Sequence, residues 1–185
     1  DRAGSTLPLW LSFTLDDSRP GTLRSGEPVE LAVRTAIDLG ATTIAFNCCT
    51  AETITDAVRI AAAVGGDHIA IGGYANRFVT SHASEVKANA GYAEFRDDLD
   101  PPTYASMAQQ WVADGASLVG GCCGTTPEHL RAVVEAVRGV TPKKRTPVSE
   151  PSVTSLYSPV TIEQENSFLI IGERTNAMGS FFVFV

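Results

Sequence analysis

Ser117-Leu118-Val119-Gly120-Gly121-Cys122-Cys123-Gly124-Thr125-Thr126-Pro127-Glu128-His129 runs from a short apolar stretch into the first turn of an amphipathic helix. Its glycines let the backbone turn without a side-chain penalty. Strand-to-helix junctions of this kind are where parallel α/β folds gather their chemistry. A second adjacent pair, Cys48-Cys49, holds the same place earlier, after Thr42-Thr43-Ile44-Ala45-Phe46-Asn47 and before another helical pattern.

Outward from these junctions the alternation continues. Residues 7–15 predict a buried strand, and 28–39 a helix with Pro28 in its first turn and Gly40 as its stop. Residues 42–46 predict the next strand. Thr50 caps a helix running to Val64, with Ile54, Ala57, Val58 and Ala61 on one face and Gly65-Gly66 ending it. A third strand is predicted at 68–71, followed by a long loop at 74–99 of a length that suggests function. Asp100 caps a helix with Pro101 at its first position. Its Tyr104, Met107, Ala108, Trp111 and Val112 recur at helical spacing and read as a core-facing stripe, closed by Gly115. Residues 117–119 predict the fourth strand. The last helix begins at Thr126-Pro127, places Leu130, Val133, Val134 and Val137 on one face, and shows capping-box spacing at Thr125 and Glu128.

Four strand–helix units with strands that read as buried on both faces imply an α/β fold with a parallel sheet. A complete eight-stranded barrel needs about 250 residues, so four units make half of one. The chain opens directly on a strand, and the expectation is a fragment of a longer protein. Residues 140–166 hold Pro142, Pro147, Pro151 and Pro159 among serines, threonines and charges and read as a linker. Phe168-Leu169-Ile170-Ile171 then predicts a strand leading into Gly172-Glu173-Arg174-Thr175-Asn176.

Apolar residues make up 44 % and charged residues 19 % of the 185, the balance of a soluble globular protein. The net charge is −7, and the one short basic run, Lys143-Lys144-Arg145, reads as solvated. Neither a nucleic-acid nor an anionic-membrane partner is expected. No stretch approaches the roughly 20 apolar residues of a membrane span, and no signal-peptide pattern opens the chain. Four cysteines in two adjacent pairs argue for reduced thiols in the cytoplasm over disulfides.

Adjacent cysteines rarely bond to each other, because the backbone between them is too short. They are better placed to approach one metal ion, and zinc favours thiolates. Cys122 and Cys123 would supply two ligands, and one or both of Cys48 and Cys49 the third. The plainer alternative is that each is a small buried hydrophobe. Three thiolates on Zn²⁺ leave a net charge of −1 and one open position. An incoming thiol would be deprotonated there yet stay nucleophilic, which suits alkyl transfer to sulfur. His129 reads as a surface or capping residue, and His68 and His82 as structural or solvated. Ser12 and Thr14, at the end of the first strand, are candidates to line a substrate pocket, against the plainer role of strand packing.

Phe46-Asn47-Cys48 together with Gly120-Gly121-Cys122-Cys123-Gly124-Thr125-Thr126-Pro127 resembles the zinc-dependent homocysteine S-methyltransferases. The resemblance covers most of 7–140, including Ser25-Gly26 and Tyr74-Ala75-Asn76. It implies the C-terminal half of a (β/α)8 TIM barrel, with Cys48, Cys122 and Cys123 holding Zn²⁺, Cys49 outside the ligand set, and homocysteine as substrate. Glu165-Asn166-Ser167-Phe168 through Asn176 is similar to the junction into the pterin-binding barrel of the family's cobalamin-dependent members. That implies a partial homocysteine-binding domain at 1–139, a linker at 140–166, and at 167–185 the first strand of a second, pterin-binding barrel. Methyltetrahydrofolate would methylate cobalamin, and methylcobalamin would methylate homocysteine to methionine. Glu173, Arg174 and Asn176 become candidates for the pterin site, against the plainer role of a helix-capping turn. The modules for cobalamin and most of the folate site, and the acidic residue the family uses for the substrate amine, are absent from the chain. The ending Phe181-Phe182-Val183-Phe184-Val185 departs from the family's polar helix. A small-molecule methyl donor is the alternative within the family. Half a barrel exposes sheet edges, so the isolated chain is expected to aggregate, hold zinc weakly and be inactive, as a zinc-binding fragment.

Overall fold

The computed structural model describes residues 7–79 and 94–140 in full, and the backbone of three short strands at 152–154, 159–161 and 181–184. The chain divides into two units, residues 1–143 with 178–185, and 144–177.

In the first unit strands and helices alternate: β1 (Trp10–Thr14), α1 (Val29–Asp38), β2 (Thr43–Asn47), α2 (Ala51–Gly65), β3 (Ala70–Ala75), α3 (Pro101–Ala113), β4 (Leu118–Gly121) and α4 (Pro127–Val137). β1 to β4 pair in sequential order and all in parallel. A further strand, β7 (Phe181–Phe184), lies antiparallel on β4, with Gly121 opposite Phe181 and Leu118 opposite Phe184. No strand was expected at 181–184, although phenylalanine and valine both favour one. In the second unit β5 (Ser152–Thr154) and β6 (Pro159–Thr161) form an antiparallel pair inside the stretch read as a linker. The prolines that suggested a linker fall at or outside the strand ends, and Val153, Thr154, Val160 and Thr161 are β-branched. Glu173, Arg174, Asn176, the 168–171 strand, His82 and Lys143-Lys144-Arg145 lie outside the described residues.

The caps explain where the helices start. Thr50 accepts a hydrogen bond from Thr53 N–H, and Asp100 one from Thr103 N–H, each satisfying a donor that the first turn leaves open. Pro28 is the extended residue before α1, one place earlier than expected. α4 is capped by Thr126 with His129 at the third position, not by Thr125 with Glu128. The Thr125 hydroxyl is engaged elsewhere, donating to the Cys122 carbonyl at 2.7 Å.

Strand alternation sorts the sheet's side chains onto two faces. On one, Ile44, Phe46, Ile71 and Val119 meet Ile54 and Val58 of α2, Tyr104 and Trp111 of α3, and Val133 of α4. On the other, Ala45, Tyr74 and Cys122 form a small cluster with Cys48 and Cys123 against them. α4 buries His129, Val133 and Val137, four residues apart, and leaves Val134 exposed, which corrects the expected stripe. β1 also differs from its expectation of burial on both faces. It is an edge strand, and Trp10 and Ser12 are exposed.

β3 and β4 both run further than expected, to Ala75 and Gly121. Glycines at 72–73 and 120–121 read as breaks in the sequence, yet they are strand residues. A Cβ on Gly73 would stand 2.8 Å from Ile54 Cγ2, so α2 reaches the sheet only because that position is bare. The Tyr104 hydroxyl faces both the Ala75 carbonyl (3.0 Å) and the Gly120 carbonyl (2.9 Å), tying the ends of β3 and β4 together beneath the cysteine-bearing junctions.

Candidate metal centre

β2 and β4 flank β3 and run in the same direction, so the residues following each emerge at one end of the sheet. There the structure brings together Cys48, after β2, and Cys122 and Cys123, after β4. Their three Sγ atoms lie within 4.8 Å of one another. Cys48 Sγ is 3.7 Å from Cys123 Sγ, and Cys122 Sγ is 3.8 Å from Cys123 Sγ.

Each cysteine is placed by backbone. Cys48 has φ +53°, a left-handed conformation uncommon outside glycine, and its N–H donates to the Tyr74 carbonyl at 3.1 Å. The turn separates the two neighbours Cys48 and Cys49. Cys49 points into the helix-side core, where its sulfur accepts from Leu15 N–H at 2.8 Å and its thiol donates to the Asn47 carbonyl at 2.9 Å. Burial pushes the Cys49 thiol up to about 12. It is a packed thiol held away from the other three. Asp17, from the loop after β1, accepts from the Thr50 N–H (2.9 Å) and hydroxyl (3.1 Å) and so pins the start of α2 beside this turn.

Cys48 and Cys123 resist ionisation. A hydrogen bond with Cys122, then burial, then the charge of Cys122 push the Cys48 thiol far above its ordinary range. Burial and Cys122 push Cys123 up as well. A divalent cation reverses this balance, because it binds the thiolate form and releases the protons. Raised pKa values keep Cys48 and Cys123 protonated at neutral pH without metal, so metal affinity should fall as pH falls between about pH 8 and pH 6. Competition against a chelator, corrected for the chelator's own titration, measures this. An affinity that does not change with pH contradicts thiol ligation.

Ser12 and Thr14 lie on the same face as the cluster. Ser12 Oγ donates to Asn47 Oδ1 at 2.9 Å and shares a hydrogen bond of 2.6 Å with the Tyr74 hydroxyl. Thr14, Asn47, Tyr74 and Gly120 are successive neighbours across the four strands. Thr14 is half-buried, and its carbonyl accepts from Arg24 N–H at 2.9 Å. Burial raises the Tyr74 phenol, with Cys122 and Cys48 adding to it. The sequence pointed to neither Asn47 nor Tyr74 as a site side chain. The available signal was two-residue alternation along 43–47 and 70–75, obscured in the second case by Gly72-Gly73.

His129 is buried and makes the α4 cap. Its Nδ1 lies 2.8 Å from Thr126 Oγ1, and its Nε2 is 3.1 Å from the Leu99 carbonyl. Burial pushes its pKa down. With both ring nitrogens engaged it is a structural residue beneath the junction, as its capping position suggested, and not a surface one. His68 is exposed in the turn after α2.

The family model for homocysteine S-methyltransferase matches residues 1–137. The methionine synthase of Mycobacterium tuberculosis is 35 % identical over 190 residues, covering 97 % of this chain and 14 % of that protein. The methionine synthase of Mycobacterium leprae is 35 % identical over 195 residues, with the same coverage. The chain therefore spans a small part of the curated relatives it matches. Among solved structures, the homocysteine methyltransferase MmuM from Escherichia coli in its apo form superposes with a TM-score of 0.53 at 26 % identity, covering 73 % of this chain and 42 % of that one. The family match takes in both strand-end junctions and all three clustered cysteines, and the chain belongs to the homocysteine S-methyltransferase family.

Proposed function

We propose that this chain is the metal-holding part of an enzyme that transfers a methyl group to the thiol of homocysteine, giving methionine. The observation that carries the reading is the convergence of Cys48, Cys122 and Cys123 in a chain of this family. Sulfurs about 2.3 Å from a tetrahedral zinc ion stand about 3.8 Å apart. Two of the three sulfur separations, 3.7 and 3.8 Å, match that spacing. Bound there, zinc would supply Lewis acidity that keeps a substrate thiol in its nucleophilic thiolate form near neutral pH.

The chain's own residues prepare for that chemistry. Cys48, Cys122 and Cys123 give up their protons to become the ligands. The Tyr74 ring packs beside Cys122, and its hydroxyl joins Ser12 and Asn47 in a polar row across three strands. Ser12 and Thr14 are proposed to line the substrate pocket from that row. The buried helix side, with Tyr104 and His129, keeps the two junctions in place.

The four strand–helix units are read as the C-terminal half of a (β/α)8 barrel, so the substrate pocket would be completed by chain beyond these units. The likeness to methionine synthases extends over 97 % of the chain, past residue 137. This supports methyltetrahydrofolate and cobalamin as the methyl source, with Glu173, Arg174 and Asn176 belonging to the pterin side. Incubation of the full-length protein with homocysteine and either methylcobalamin or S-methylmethionine tests the assignment. Methionine formed from methylcobalamin and lost with the zinc supports it. Methionine formed from S-methylmethionine alone replaces the donor, and no methionine from either overturns the activity.

A further inference from the structure

We propose that Arg77 is a positioning residue for Cys123: it clamps the turn that carries the sulfur donors after β4 and thereby sets the metal affinity of the site. The inference rests on the three-cysteine reading above.

Cys122 and Cys123 are adjacent but are held by different partners. Cys122 N–H donates to the Ala75 carbonyl at 3.0 Å, and the Cys122 carbonyl accepts from Thr125 N–H (3.1 Å) and Thr125 Oγ1 (2.7 Å). The next two carbonyls both turn to Arg77. Cys123 O accepts from the Arg77 main-chain N–H at 2.9 Å, and Gly124 O accepts from the side-chain Nη1 of Arg77 at 3.1 Å. Arg77 Nη2 donates to the Arg96 carbonyl at 3.0 Å, and Arg96 N–H returns to the Arg77 carbonyl at 2.8 Å. Arg96 is itself gripped by Glu52 of α2 through two bonds of 2.8 Å and by Asp98 at 2.6 Å. A continuous set of bonds thus runs from α2 through two arginine side chains to the carbonyl of Gly124, the residue after Cys123, while the Arg77 main chain holds Cys123 O.

Packing reinforces it. The Arg77 guanidinium lies 5.8 Å from the centre of the Phe95 ring, a cation–π distance. Gly124 has φ +80°, and a Cβ there would stand 2.6 Å from Phe95 and 3.2 Å from Arg77 Cβ. Arginine and ring therefore press directly on the glycine that follows Cys123. Two carbonyls on separate segments need two directed N–H groups in one rigid plane, which a guanidinium has and a lysine ammonium lacks. Groups that fix the orientation of metal ligands typically account for about 10–100-fold in affinity.

The test is an anaerobic titration of the 185-residue chain with Co²⁺, followed by its ligand-field and thiolate charge-transfer bands. Arg77→Ala should weaken cobalt binding about 10–100-fold and alter the spectrum. Arg77→Lys should recover only part of the loss. Guanidinium chloride at non-denaturing, millimolar concentration should restore Arg77→Ala, and methylammonium should not. Circular dichroism follows folding, and if the alanine variant does not fold the lysine variant carries the comparison. Cobalt affinity and spectrum unchanged in the folded variants, with the parent binding normally, overturn the role of Arg77 and leave the cysteine site intact. A parent chain that binds no cobalt overturns the site, and the clamp with it.

Discussion

Serine in place of Cys48, Cys122 or Cys123 should weaken metal binding sharply, whereas serine in place of Cys49 should preserve it. The three sulfurs lie within 4.8 Å of one another, and in the proposed site each would supply one donor to the same ion. Removing a ligand should cost more than removing a group that merely supports one, so affinity should fall by more than about 100-fold. Cys49 is equally close in sequence but faces the helix-side core. Its sulfur is engaged with Leu15 and Asn47, so its replacement should lower stability and leave metal stoichiometry unchanged. Isothermal titration of the four variants with zinc separates the two kinds of cysteine. Equal losses across all four contradict the division.

Alanine at Trp111 should destabilise the chain by about 3–5 kcal/mol, a large share of the about 5–15 kcal/mol that holds a domain folded. Trp111 is 0 % exposed, and its indole N–H donates to Thr55 Oγ1 at 2.8 Å. It therefore joins α3 to α2 by both packing and a hydrogen bond. The same helix carries Tyr104, whose hydroxyl holds the ends of β3 and β4, so the loss should also weaken metal binding. Phenylalanine at 111 keeps most of the ring packing and should cost less, the hydrogen bond itself being worth about 0.5–1.5 kcal/mol. Trp10 is 46 % exposed on the edge strand, and Trp10→Ala should cost clearly less than Trp111→Ala. Urea unfolding followed by circular dichroism compares the three. Similar midpoints for Trp10→Ala and Trp111→Ala would contradict the placement of the core.

The sequence carried the helices well, because their signals are local. Thr50 and Asp100 as caps, and the buried Ile54, Ala57, Val58 and Ala61, follow from spacing alone. Strand ends were harder to read. Gly72-Gly73 and Gly120-Gly121 mimic turns, and only the approach of α2, visible in three dimensions, explains why glycine is needed within β3. The exposure of β1 depends on its place in the sheet order, which no local pattern encodes. β5, β6 and β7 depend on pairing partners in the same way. At the site, the cysteine motifs marked the junctions, and the separation of Cys48 from Cys49 required the resemblance to a family. The polar row of Ser12, Asn47 and Tyr74 joins residues from three strands, so its geometry emerges only with the register. Arg77 escaped notice for the same reason, since its partners Gly124 and Arg96 are distant in sequence.

X-ray absorption at the zinc edge, on chain loaded anaerobically with one equivalent of zinc, tests the central claim most directly. The site should show three sulfur neighbours at about 2.3 Å. Cys48→Ser should reduce these to two, and Cys49→Ser should leave them at three. Three sulfurs persisting without Cys48, or fewer than three in the parent chain, would mean that the two strand-end junctions do not share one metal ion.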